Sequence, residues 1–274
     1  MKKSLMLFAL ALLFGVAACD YIDDPIQGGG TDPVDPTPGV TGNKTVLIKD
    51  FTGAQCVNCP EAADYAHALQ HQLGEDRIFV MGVHAGVLAQ PVGNFPDFLT
   101  EEGTAWYAGQ SSNPLFSVDY VGLEAGHALY QVQLDAPVAA ALKEDQTFAI
   151  ELNPTYNAAD RQLEVEVTMT ALAELNGGYY MTLCLVEDSL VGWQKVPGGL
   201  DREYVFRNVF RGTLNGADGE EVQSGEVHFN DVFVKHAATT LDADFNEDQC
   251  YLVAYVYDRN QEKKIHQTAV VKIN

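Results

Sequence analysis

The chain has 274 residues, 47% of them hydrophobic and 10% aromatic, which is a globular composition with length enough for two cores. Its 16 basic residues against 38 acidic ones give a formal charge of -22, which excludes the basic surface that nucleic acids and anionic membranes require. Five cysteines is an odd number, and the N-terminus accounts for one of them.

Residues 1–18 read as a lipoprotein signal peptide. Lys2 and Lys3 form the positive start, Leu5 to Phe14 form an apolar run too short for a stable span, and Val16-Ala17-Ala18-Cys19 matches the bacterial lipobox. Cys19 is therefore the expected lipid attachment site, with plain secretory cleavage as the alternative. Loss of residues 1–18 leaves 14 basic against 38 acidic residues and, besides Cys19, four cysteines in an exported setting that permits disulfides. Residues 19–43 lack periodicity and are rich in Gly, Pro and Asp, the composition of a tether.

From Lys44 the pattern becomes structured. Val46-Leu47-Ile48 has strand character, Thr52-Gly53 marks a turn, and Cys56-Val57-Asn58-Cys59 follows. Pro60 suits the first turn of a helix, after which Ala62, Ala63, Ala66, Leu69 and Leu73 fall at helical spacing. Residues 77–83 predict a second buried strand, residues 95–108 a helix, and Leu115 to Val118 a further strand behind Pro114. Residues 125–143 predict a closing helix that Pro137 kinks or splits. From Gln146 the period changes to two: Leu163, Val165, Val167, Met169 and Ala171 alternate with polar residues. Similar runs at 147–152, 179–187, 204–210, 226–234, 250–258 and 265–273 predict seven strands. Asn176-Gly177-Gly178, Pro197-Gly198-Gly199 and Asn215-Gly216 are read as turns between them.

The CxxC carries the sharpest chemistry. A thiol at a helix N-terminus faces unsatisfied N–H groups that favour the thiolate, so Cys56 is the candidate attacking thiol and Cys59 the resolving one. A permanently oxidised staple and half of a metal site are the alternatives, and no second CxxC exists to complete a zinc site. His67 and His71 share a helix face but lack a third ligand, and His84 ends the second strand. Asp242, Asp244, Asn246 and Asp248 alternate like a calcium loop, yet Glu247 and Val253 stand where glycine and glutamate belong. No metal or cofactor is expected. Cys184 and Cys250 fall in separate strands and leave a disulfide or two buried thiols open. Arg202, Arg207 and Arg211 are expected to pair with local acids such as Glu203 and Glu220 rather than bind an anion.

Residues 44–145 resemble the thioredoxin superfamily. The resemblance implies an α/β thioredoxin-like domain in which Asp50, six residues before Cys56, accepts a proton, and Pro114 is the cis-proline flanking a substrate groove. Gln55 and Val57-Asn58 depart from the usual oxidoreductase residues. The lipobox, the acidic tether, DFTGAQCVNCPEA, YVFRNVFRGTLNG and the closing CYLVAYVYDRNQEKKIHQTAVVKI resemble the outer-membrane-protein-28-related lipoproteins of Gram-negative bacteria. That resemblance implies an outer-membrane address, on the periplasmic or cell-surface face, and an all-β immunoglobulin-like sandwich at 146–274. Two functions stay open. One is a thiol–disulfide oxidoreductase acting on the thiols or disulfides of exported proteins. The other is a non-enzymatic surface binding or adhesion lipoprotein, engaging a surface partner, whose CxxC is structural.

Overall fold

The computed structural model describes residues 43–274; the signal peptide at 1–18, Cys19 and the tether as far as residue 42 lie outside the described residues. Strand β1 (Val46–Thr52) is buried on both faces, which is why it reads as a continuous apolar run broken only by Lys49 and Asp50. Helix α1 (Cys59–Leu73) crosses from it to the parallel strand β2 (Ile78–His84), in register from Val46↔Ile78 to Thr52↔His84. A short helix α2 (Glu101–Tyr107) starts where Thr100 Oγ1 accepts the Gly103 N–H and ends at Ala108 in the left-handed region. Strand β3 (Leu115–Val118) then pairs antiparallel with β1, and the Asn113–Pro114 bond before it is cis.

The closing helix expected at 125–143 is shorter. Leu129 instead bridges Phe116 in extended form, and only α3 (Asp135–Ala141) is α-helical. Pro137 falls in the first turn of α3, where its missing N–H costs no hydrogen bond, so it starts a helix rather than kinking one.

Ten strands follow: β4 (Phe148–Asn157), β5 (Gln162–Ala171), β6 (Leu175–Glu187), β7 (Leu190–Val196), β8 (Gly199–Phe206), β9 (Val209–Thr213), β10 (Glu220–Val227), β11 (Val232–Thr240), β12 (Cys250–Asp258) and β13 (Lys264–Lys272). Two expected strands are each divided. The run at 204–210 breaks at Asn208, which has φ 45°, and the run at 226–234 turns over through residues 228–231 between β10 and β11. The run Asn176-Gly177-Gly178, read as a turn, lies inside β6. Gly177 is there for space: a Cβ would stand 2.6 Å from Asp258 Oδ2 and 2.9 Å from the Tyr179 ring. Gly177→Ala should therefore lower stability by about 1–3 kcal/mol in urea denaturation, the range for overpacking.

The sheets cross the expected boundary at residue 145. Eight strands form one sheet in the order β13-β12-β6-β9-β2-β1-β3, with β10 paired to β6; the join is the parallel contact Gly82↔Val209 between β2 and β9. One face of that sheet carries Leu47, Phe51, Met81, Val83, Cys184, Val186, Val253, Tyr255 and Tyr257 in one core with Trp106 and Phe210. The opposite face is covered in two halves. Over β1–β3 lie α1 and α3, with Ala62, Ala66, Leu69, Val138 and Leu142 against Val46, Ile48, Val80 and Phe116. Over β6 and β12 lies the three-stranded sheet β11-β5-β4, whose Leu163, Val165, Val167 and Met169 meet Met181, Leu183, Leu252, Ala254 and Val256. The protein is mostly β, and this second half has the layering of a β-sandwich. One of its layers is continuous with the α/β half, and the described residues form one compact unit.

Candidate functional site: a disulfide beside a buried carboxyl

The turn from β1 into α1 is pinned from two sides. Gly53 passes so close to the backbone of Leu88 that no side chain fits, and the Gln55 N–H donates to the Leu88 carbonyl at 2.9 Å. From the other side comes the hairpin β7–β8. The Lys195 N–H donates to the Ala54 carbonyl at 2.9 Å, and the buried Gln194 amide donates to the Cys56 carbonyl at 2.8 Å. Cys56 and Cys59 form a disulfide, with Cα atoms 5.4 Å apart and relative exposures of 2% and 1%. Helix α1 begins at Cys59 itself, with Pro60 in its first turn, so Cys56 sits one turn before the helix rather than within it.

Behind the disulfide lies a cavity of about 250 Å³, lined by Asp50, Cys59, His67, His84, Gln194 and Tyr204 among others. Asp50 is 3% exposed, its Oδ1 has no hydrogen-bond partner among the described residues, and burial pushes its carboxyl up to about 8. His84 lines the same space and packs edge-on against Phe98 and Phe206, with centroids 4.9 and 5.4 Å away. Burial, assisted by the Arg211 charge, pulls it down to about 3, so it is neutral. Burial also raises the Tyr204 hydroxyl to about 12. Pro114 precedes the register pair Leu115↔Phe51, at the end of β1 that leads to the CxxC turn, and the Asn113 amide donates to the carbonyls of Phe51, Thr52 and Ala85.

The other sequence candidates do not join this site, except His67. Cys184 and Cys250 are free and buried, which corrects the disulfide alternative. In the β6–β12 register Cys184 faces Val253 and Cys250 faces Glu187, and the two side chains enter cores on opposite faces of the sheet. His71 points outward and pairs with Glu75 at 3.1 Å. Arg161 knits the acidic run at 242–248, donating to the carbonyls of Asp242 and Phe245 and pairing with Glu247 at 3.0 Å. A protein cation thus occupies the middle of the run that alternates like a calcium loop. Arg207 and Arg211 do pair with acids, but with Asp188 at 2.7 Å and Glu187 at 3.5 Å rather than Glu203 and Glu220, while Arg202 stacks on Trp193.

Three residues of interest carried no signal at the sequence level. Gln194 and Tyr204 reach the site from 138 and 145 positions beyond Cys56 and Cys59, through a hairpin that nothing local links to the CxxC. Lys49 is wholly buried on the face of β1 opposite Asp50. Its Nζ donates to the Val121 carbonyl at 2.7 Å and lies 3.8 Å from the Trp106 ring centroid, and burial lowers it to about 7.

Residues 125–274 match the family described as outer membrane protein Omp28. The chain belongs to that family. The matched region begins beyond the CxxC and takes in α3 and every strand from β4 onward. Among solved structures, HBP35 of Porphyromonas gingivalis is 14% identical, with 85% of this chain and 76% of that chain covered at a TM-score of 0.64, a likeness of fold. A domain of the outer membrane lipoprotein Omp28 from Porphyromonas gingivalis is 20% identical, with 47% and 89% covered and a TM-score of 0.35. No curated protein matches.

Proposed function

We propose that this member of the Omp28 family is a lipoprotein of the outer membrane, anchored through Cys19, whose residues 44–145 form a thioredoxin-like domain that exchanges disulfides with exported proteins. The observation that carries the reading is the Cys56–Cys59 disulfide at the start of α1, with the buried, unpartnered Asp50 carboxyl in the cavity behind it. In the reduced protein the Cys56 thiolate attacks one sulfur of a substrate disulfide; a mixed disulfide forms and the other substrate sulfur leaves as thiolate. Cys59 passes its proton to the Asp50 carboxylate and attacks Cys56 Sγ, releasing the second substrate thiol. The substrate gains two electrons and the protein ends in its disulfide form. Pro114 would flank the substrate on the β3 side.

The full chain in detergent, reduced beforehand, should reduce insulin disulfides; Cys56→Ser should abolish this, and Asp50→Asn should slow it by about 10²-fold. Insulin reduction no faster than with free dithiol, together with a Cys56 thiol of ordinary reactivity, would overturn the reading. Labelling with palmitate that disappears in Cys19→Ala tests the anchor.

The low exposure of both cysteines and the Gln194 clamp favour a second reading, a surface binding protein with a structural CxxC. Here Cys56→Ser/Cys59→Ser loses stability while partner binding persists.

A further inference from the structure

The cavity behind the disulfide has a lining that the exchange reaction does not use in full. Its inner end is Asp50, more than nine-tenths buried, with Oδ1 unpartnered among the described residues. Its sides are apolar and aromatic: Val80, Val209, Phe206 and Tyr204. Its outer end lies between α1 and β8, where Asp64 and Val205 are exposed. The titratable and charged groups facing the space are Asp50 from β1, Asp64 and His67 from α1, His84 from β2, and Tyr204 and Arg207 from the hairpin side. Arg207 is already held by Asp188 at 2.7 Å, and His84 and Tyr204 are neutral, so the unengaged groups in the lining are the acids Asp50 and Asp64.

We infer that this cavity is a binding site for a small organic ammonium ion, whose charged head is held by Asp50 and whose hydrocarbon body lies against Tyr204, Phe206, Val80 and Val209. A buried carboxyl without a donor is costly, and an ammonium supplies both the missing hydrogen bond and the missing charge. Aromatic faces add attraction for a cation, and 250 Å³ is room for a small ligand only. An anion is disfavoured because the free acids of the lining, Asp50 and Asp64, can only lose protons to become negative. The inference does not depend on disulfide exchange, because the head group binds to Asp50 and no bond to sulfur is made or broken.

The test is calorimetric titration of the oxidised full chain in detergent with phenethylamine, beside phenethyl alcohol as a neutral analogue of the same shape. Phenethylamine should bind saturably at one site, at least roughly tenfold more tightly than the alcohol, the step expected when a single charged hydrogen bond is lost. Affinity should rise by roughly tenfold per pH unit up to about pH 8, since binding requires the Asp50 carboxylate. Asp50→Asn should remove both the binding and its pH dependence, whereas His71→Gln, on the same helix but outside the cavity, should keep both. Absence of saturable binding in the wild-type chain, equal affinity for the alcohol, or unaltered binding by a folded Asp50→Asn chain would overturn the inference. Insulin reduction by the same preparation reports on disulfide exchange separately, so failure of one leaves the other standing.

Discussion

Asp50→Asn should flatten a decline in stability that the wild-type chain undergoes as pH rises from about 4 to about 8. Burial raises this carboxyl from an ordinary 3.8 to about 8, so across that window the folded chain keeps a proton that the unfolded chain has released. The stability contributed by the protonated group is therefore whole below pH 4 and is lost as pH rises through 8. At 1.36 kcal/mol per unit the difference reaches at most about 6 kcal/mol. Two other buried groups slope the opposite way: His84, lowered to about 3, costs stability as pH falls below its usual 6.5, and Lys49, lowered to about 7, costs stability as pH falls from 10.5 toward 7. Subtracting the wild-type curve from the Asp50→Asn curve cancels both. Urea denaturation at pH 5 and pH 8.5 checks the result: the variant should gain on the wild type at the higher pH, and parallel curves would contradict the buried, unpartnered state of Asp50.

Lys44→Met should cost about 3–5 kcal/mol at pH 7, the range for removing one partner of a buried ion pair. Lys44 is 1% exposed. Its Nζ pairs with Asp119 at 2.8 Å and Glu144 at 3.1 Å and donates to the Ile265 carbonyl at 2.6 Å. It thereby ties the start of β1 to β13, two stretches 221 residues apart. Burial already pushes the Asp119 carboxyl up against the pull of Lys44, so without the lysine it should take up a proton more readily still. The loss should shrink as pH is lowered, and Lys44→Met/Asp119→Asn should recover part of it. Denaturation curves at pH 7 and pH 4.5 for the two variants test this, and an equal loss at both pH values would show that the pair is not what Lys44 contributes.

Much of the layout was legible in the chain because it rests on local chemistry. The alternation Leu163 to Ala171 predicted a strand with one wet face, and β5 spans Gln162–Ala171 with Glu164 and Glu166 outward and Leu163, Val165 and Val167 in the core. Pro60 marked the start of α1 because a helix's first turn needs no N–H from it. The closing segment resembled the outer-membrane-protein-28 group, and residues 125–274 match that family.

Where local rules conflicted with distant ones, the reading failed for identifiable reasons. Asn176-Gly177-Gly178 has turn composition, but β6 keeps Gly177 because Asp258 and Tyr179 fill the space that a Cβ would take. Arg207 and Arg211 were matched with sequence neighbours, whereas their partners Asp188 and Glu187 stand near the end of β6, one sheet position away from β9. The boundary at residue 145 follows a real change of period, from helical to alternating. Periodicity describes which face of an element is buried, not which strand lies beside it, so the parallel pairing Gly82↔Val209 that carries the sheet across that boundary had no local trace.

By itself the sequence determined that an oxidisable Cys56–Cys59 pair would stand at the head of α1, that Asp50 would fall at the end of the first strand, and that alternating strands would follow. Side-chain period and helix-start chemistry are properties of neighbours in the chain, and neighbours suffice to set them. Only the tertiary structure decided that Asp50 would lack a partner, that Cys184 and Cys250 would fall on opposite faces of one sheet, and that the hairpin β7–β8 would return to cover the disulfide. Those outcomes depend on which distant groups share a low-dielectric space, and burial changes the energy of a charge or a thiol far more than any residue adjacent to it in sequence.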